Sequence, residues 1–303
     1  MTIALTGGTG FVGQAVLDIC RRVGEPVCAL TRRPQDPCEH VEWVEGDLSN
    51  VGGMGLMCRD ADAIVHVAGL TNHPDPAQFD EANVRGTERL IAVAKEAQLK
   101  RFVFVSSLSA REPHLSAYGA SKARAEALVE ASGLDWTIVR PPGVYGPRDV
   151  DYFEMFRSAK FGFVPLPPGG ASSIIHVEDL ARLLVALVDA PPALVRRRVF
   201  EPDDGREGGW SHSELAQAIG TAVGRRVFAP HLPRSVLFAA ACADRLLRGD
   251  KARLTADRVG YMTHPNWVAR SAMKVPETVW APRIHGEEGL AATARWYRAQ
   301  GWL

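Results

Sequence analysis

Long apolar runs are missing from this chain of 303 residues. The longest stretches, around Leu180–Val188 and Val236–Ala243, fall far short of the roughly 20 residues that cross a bilayer, so no membrane span is expected. Cysteine is sparse and scattered: Cys20, Cys28, Cys38, Cys58 and Cys242 form no C-x-x-C pair. That pattern excludes a disulfide scaffold and points to reduced thiols in a cytoplasmic setting. An excess of one charge is missing too, because 35 basic residues balance 35 acidic ones. Neither nucleic acid nor a membrane is therefore an expected partner; specific local contacts would have to supply any such role. Metal-ligand spacings of His, Cys and Asp are absent, and no metal is expected. A first strand starting at Thr2 leaves no room for a signal peptide.

What is present is ordinary globular composition, 46% hydrophobic and 23% charged, with no internal repeat. Apolar β-rich runs alternate with helical patterns: strands are predicted at 2–6, 26–31, 41–45, 63–68, 102–106 and 136–140, and helices at 10–23, 79–98 and 118–131. Such alternation implies an α/β fold, a doubly wound parallel sheet with helices on both faces. After Pro147 the rhythm breaks. A helix and an irregular loop are predicted over 148–173, then a strand and helix over 174–190 and a strand at 199–201. Helices are expected at 211–223 and 232–247, then irregular chain holding Trp267, Trp280, Trp296 and Trp302. The expected organisation is a dinucleotide-binding core over 1–147 and a small, mainly helical substrate lid over 148–303, of which 174–202 returns to the core.

Gly7, Gly10 and Gly13 form G-x-x-G-x-x-G between the first strand and helix. In that context the glycines permit a sharp turn, close approach of a pyrophosphate and tight helix packing, with the Phe11 and Val12 amides as donors. A nicotinamide dinucleotide is the implied cofactor. An NAD site needs a carboxylate at the end of the second strand to hold the ribose hydroxyl. Here Arg32 and Arg33 stand instead, and a guanidinium suits a 2′-phosphate, so NADP is expected, with NAD the alternative. The other reading of the pair is a solvated surface. Asp47-Leu48, after the third strand, fits either a carboxylate on the adenine amino group or a turn-capping aspartate.

The fifth strand ends in Ser106-Ser107, at the sheet edge where α/β proteins bind ligands, and Tyr118 and Lys122 follow four residues apart. Helical spacing puts phenol and ammonium on one face, where the cation can lower the phenol's pKa. A hydroxyl, a phenol and an ammonium beside a nicotinamide are the parts that polarise a carbonyl and move its proton. His66 reads as a packed histidine and His73 and His114 as loop residues; Arg196–Arg198 reads as a solvated edge.

From Thr2 onward the chain resembles the extended short-chain dehydrogenase/reductase family, with its Rossmann-type fold. The resemblance rests on Thr6–Gly13, Asp47-Leu48, His66–Gly69, Asn83–Thr87, Phe104–Ser107, Tyr118–Lys122, Arg140–Pro147, His176–Leu180 and Thr293–Tyr297. It implies that Tyr118 is the acid/base, that Lys122 binds the nicotinamide ribose, and that Ser107 rather than Ser106 holds the substrate oxygen. Ala68 and the Pro141–Val144 backbone would flank ribose and nicotinamide. The family often dimerises through the Tyr-x-x-x-Lys helix, where Ala120, Ala123, Ala125 and Ala127 would permit close approach. An arginine that nucleotide-sugar members carry before His176 is absent, since the stretch reads Ser172-Ser-Ile-Ile. Arg148, Lys160 and Arg206 remain as alternative diphosphate grips. The Leu30–Pro34 ending of the second strand is closer to ketone reducers, similar to dihydroflavonol reductases and the 3β-hydroxysteroid dehydrogenase-like group. The expected reaction is hydride transfer to or from a small carbonyl or secondary alcohol. The alternatives are a nucleotide-sugar epimerase or dehydratase and a non-catalytic dinucleotide-binding scaffold.

Overall fold

The computed structural model describes all 303 residues, the side chain of Lys251 excepted. In chain order the strands are β1 (Ile3–Thr6), β2 (Val27–Thr31), β3 (Val41–Glu45), β4 (Ala63–His66), β5 (Arg101–Val105), β6 (Asp135–Val139), β7 (Gly143–Tyr145), β8 (Ala171–Ser172), β9 (Ile174–His176), β10 (Arg198–Phe200), β11 (Trp210–Ser211) and β12 (Asn266–Trp267). Seven of them make one parallel sheet in the order β10-β6-β5-β4-β1-β2-β3. Both faces of the sheet's centre are covered, so β1, β2 and β4 are buried at every position, while the edge strand β3 interleaves apolar and charged residues.

The first helices are α1 (Phe11–Val23), α2 (Val51–Cys58), α3 (Ala77–Phe79), α4 (Gly86–Glu96) and α5 (Ala117–Glu130). They are followed by α6 (Asp151–Lys160), α7 (Val177–Asp189), α8 (Pro192–Val195), α9 (His212–Val223), α10 (Arg234–Arg248), α11 (Ala256–Met262) and α12 (Gly286–Ala299). On one sheet face, Val16 and Leu17 of α1 and Leu180 and Leu184 of α7 pack on Leu5, Val65 and Val103. On the other, Met54 of α2, Leu90 of α4 and Val129 of α5 cover Ile64, Phe102 and Ile138. A separate core under the lid gathers Tyr145, Phe156, Trp210, Leu215 and Tyr297.

The sheet reverses its winding between β1 and β4, which opens a crevice at their C-terminal ends. No helix among the described residues is long and apolar enough to cross a membrane.

Three expectations need correction. The predicted helix over 79–98 begins two residues earlier, at Ala77, and contains a π-helical stretch, Asp80–Arg85, between α3 and α4. The C-terminal region expected to be irregular contains α11 and the 14-residue α12, whose Leu290, Ala294 and Tyr297 are buried at helical spacing. Finally, Ala125 of α5 is fully buried in its own protomer's core, so it offers no free surface to a second helix.

Candidate active site

The glycine turn is shaped by backbone proximity. Gly7 has φ +77°, and a Cβ there would stand 2.8 Å from the Ala68 amide nitrogen. A Cβ on Gly13 would overlap the Gly7 carbonyl oxygen, which is why α1 can start so close to β1. Gly10 is different: it is exposed, and its only near neighbour is the Gly7 oxygen at 3.3 Å. No side chain caps α1 and no acidic residue lies in its first turn, so the N-terminal amides and the positive end of the helix dipole face open space. This cradle fits a pyrophosphate.

Arg32 and Arg33 are exposed at the end of β2, and Arg32 makes no hydrogen bond or ion pair among the described residues. Asp47 takes the turn-capping form: Oδ1 accepts from the Ser49 amide (2.8 Å) and hydroxyl (2.6 Å). These bonds, with Arg32 contributing, hold its carboxyl below the usual range. Leu48 packs beneath α4, where a Cβ on Gly86 would meet its Cδ1 at 2.8 Å.

Across the crevice, β5 delivers Ser107 and α5 delivers Tyr118 and Lys122. Ser107 caps the turn that follows β5, its hydroxyl accepting from the Ser109 amide (3.2 Å) and hydroxyl (2.9 Å). Its own proton is thereby free for an acceptor in the crevice, and the nearness of Ser107 is the one influence lowering the pKa of the Tyr118 phenol. Burial outweighs it and holds Tyr118 well above the usual tyrosine range, in the protonated state. Ser106, by contrast, is buried with no partner for its hydroxyl.

Spacing alone predicts that Lys122 lowers the phenol's pKa, and here it does not. Its ammonium instead donates to the Val105 carbonyl at 2.8 Å and lies 4.8 Å from the Phe104 ring centroid. Burial pushes the ammonium down to about 8, opposed by Glu126 one turn further along α5.

The loop between β4 and the π-helical stretch is fixed by Asn83. Its amide oxygen accepts from the Leu70 amide (2.7 Å), and its nitrogen donates to the Leu70 carbonyl and the Ser121 hydroxyl (both 2.9 Å). Ala68 is held by its amide donating to Thr6 Oγ1 at 3.2 Å. The Pro141 carbonyl accepts from the Leu108 amide at 3.1 Å, while Val144 sits in β7.

Aromatic side chains that sequence reasoning missed surround Tyr118. Phe79 and Tyr261 lie 5.9 and 6.1 Å from the Tyr118 ring. Tyr152 is pressed so close to Gly143 that a Cβ there would overlap its hydroxyl. Asp257 of α11 accepts from the Ala117 and Tyr118 amides and ties the lid to the start of α5. Arg258 donates to Asp151 at 2.9 Å, and burial pushes the neighbouring Asp149 carboxyl up to about 7. Nothing local in the sequence marks Phe79, Tyr152, Tyr261 or Arg258, because tertiary contacts alone bring Phe79 and Tyr261 to Tyr118, Tyr152 to Gly143 and Arg258 to Asp151. Asn83 did carry a signal, in the Asn83–Thr87 run.

The remaining candidates are engaged elsewhere. Arg148 pairs with Asp18 at 2.7 Å, and Arg206 pairs with Glu214 and lies over the Trp210 ring. His66 is a fully buried histidine bridging Thr6 Oγ1 (2.7 Å) and Thr87 Oγ1 (2.9 Å).

Residues 7–191 match a family model described as NAD(P)H-binding. The chain is 33% identical to ceramide reductase of Caulobacter vibrioides, across 99% of this chain and 96% of that protein. It is 27% identical to UDP-glucose 4-epimerase of Vibrio cholerae, across 73% and 76% respectively. Among solved structures, gox2253 has the same fold, with a TM-score of 0.80 over 100% of this chain and 99% of that one at 23% identity.

Proposed function

Because the chain belongs to the NAD(P)H-binding, extended short-chain dehydrogenase/reductase family, we propose that it is an NADPH-dependent reductase converting a ketone to a secondary alcohol. The observation that carries this reading is the gathering of Ser107, a buried and protonated Tyr118 phenol and the Lys122 ammonium at the C-terminal end of β5, beside the crevice between β1 and β4.

NADPH, when bound, supplies the hydride. The Ser107 hydroxyl and Tyr118 phenol together hold the ketone oxygen and stabilise the charge that develops on it. Tyr118 then gives its proton to that oxygen, a transfer suited to a phenol kept neutral at physiological pH. Lys122, with one donor on the Val105 carbonyl, has two left for the ribose hydroxyls and for the resulting phenolate. Arg32 would hold the 2′-phosphate that distinguishes NADPH from NADH.

The aromatic side chains around Tyr118 support an apolar ketone, and similarity along the whole chain to a ceramide reductase supports a long-chain one. The partial similarity to an epimerase keeps a second reading in view: reversible oxidation of a sugar by retained cofactor. Stoichiometric NADPH consumption with a long-chain 3-ketone separates the two, since an epimerase consumes none. Under that assay Tyr118→Phe is expected to lower kcat by about a hundredfold or more, with NADPH affinity unchanged. Turnover at the wild-type rate would reject the mechanism.

A further inference from the structure

Helix α10 stands apart from the rest of the lid. It is anchored through Leu237 and Ala241, which meet Val259 of α11 in a small satellite core. The opposite side is exposed. Val236, Ala240, Ala243 and Leu247 recur at i, i+4, i+7 and i+11, all exposed, with Ala239 and Leu246 beside them. Leu246 and Leu247 are 88% and 84% exposed, the two most exposed large hydrophobic residues of the chain, and Arg245 and Arg248 bracket them.

The charge around this helix is one-sided. Between residues 225 and 253 the chain holds seven basic residues and two acidic ones, although the whole protein is neutral. One of those acids, Asp244, is occupied by Arg248 and by the Arg253 and Leu254 amides.

We infer that α10 is an interfacial helix that seats the protein on an anionic lipid surface, Leu246 and Leu247 entering the acyl boundary while Arg245 reaches the phosphates and Arg248 exchanges its pairing with Asp244 for one. Arginine suits that place because its stem lies along apolar material while the guanidinium stays at the headgroups. A second copy of this chain fits the same face poorly. An antiparallel two-fold pairing would set the N-terminal arginine of one helix against the C-terminal arginines of the other, and a parallel one would stack like on like.

The position of the helix gives the contact a use. α10 packs on α11, and α11 carries Tyr261, whose ring neighbours Tyr118. A surface-bound α10 would thus sit one helix away from Tyr118, next to the medium in which an apolar substrate resides. The docking itself does not depend on which ketone is reduced.

The test is co-sedimentation of the full chain with phosphatidylcholine vesicles, with and without phosphatidylglycerol. Binding is expected only with the anionic lipid, and weaker as salt rises. The double variant Leu246→Glu/Leu247→Glu is expected to lose at least about tenfold in partition coefficient. Far-UV circular dichroism and NADPH titration check that this variant is folded, and Arg245→Gln/Arg248→Gln, which leaves the leucines in place, gives a second measure. No sedimentation of the wild-type protein with anionic vesicles would overturn the inference. So would equal binding by wild type and both variants, or a concentration-dependent dimer that the leucine variant abolishes. Vesicle binding without ketone reduction would leave the docking intact and fault the reductase reading alone.

Discussion

At the scale of single residues, His66 shows how a buried titratable group stiffens the site without entering the chemistry. Thr87 gives its hydroxyl proton to the Asn83 carbonyl (2.7 Å), so it can only accept from His66 Nε2. Nδ1 must then accept from Thr6, whose oxygen takes the Ala68 amide. The imidazole is therefore neutral with its proton on Nε2, and burial pushes its pKa down to about 3, with Lys122 adding to the shift. A histidine lowered on folding contributes stability that is complete above its unfolded pKa of about 6.5 and is lost as pH falls towards 3. Urea unfolding of wild type and His66→Gln across that window should show the wild-type advantage shrinking by up to about 1.4 kcal/mol per pH unit. A difference that stays constant with pH would mean that His66 titrates no differently when folded. The sequence made a packed histidine legible here. It could not reveal the two threonines, which reach it from positions 60 residues upstream and 21 downstream.

At the scale of elements, what could be read depended on whether the determining contact is local. The turn before α1 was legible because glycine spacing, strand and helix lie within twenty residues. α2 was not: Gly52, Gly53 and Gly55 argue against a helix, and it forms because Asn50 caps it and Met54, Met57 and Cys58 are buried against the sheet. α12 was not legible either: its buried Leu290, Ala294 and Tyr297 follow helical spacing, but no side-chain cap at His285 marks its start. The Asn83–Thr87 run marked Asn83 itself, but no local pattern announced the π-helical geometry of Asp80–Arg85 that carries it. The α1 turn also yields a clear test. A methyl group on Gly13 would overlap the Gly7 carbonyl, a backbone atom that no rotamer change can move. Gly13→Ala is expected to cost roughly 1–3 kcal/mol through forced separation of α1 from β1, and to weaken NADPH binding through the displaced N-terminal amides. Thermal unfolding and fluorescence titration would show both losses together; unchanged cofactor affinity would remove the turn from the binding site.

At the scale of the whole molecule, strand and helix alternation made the parallel sheet legible, while the lid resisted because its contacts join distant segments. β8 pairs with both β11 and β12 through two residues each, and no sequence pattern marks strands so short. The two parts are fastened by a buried charge network centred on Glu201, just beyond β10, which is fully buried. One carboxylate oxygen accepts from Arg111 Nη1 at 3.2 Å and from the Arg270 amide of the lid at 2.9 Å. The other lies 3.7 Å from Arg140, which also forms a bidentate pair with Glu126 on α5. Arg111 in turn donates to the Asn266 carbonyl in the lid strand β12 and to the Val268 carbonyl just after it. Replacing Glu201 by Gln keeps the shape and removes the charge, leaving Arg111 without a counterion in a site almost closed to water. Breaking a buried pair from one side costs about 3–5 kcal/mol, most of it the desolvation of the charge left behind. Glu201→Gln should therefore lower the urea midpoint sharply. It should also loosen the lid first, raising the KM for substrate more than that for NADPH, whose crevice lies at β1 and β4. An unfolding midpoint within error of the wild type would show that Arg140 and Arg111 are held by their other partners alone, and that the lid is fastened elsewhere.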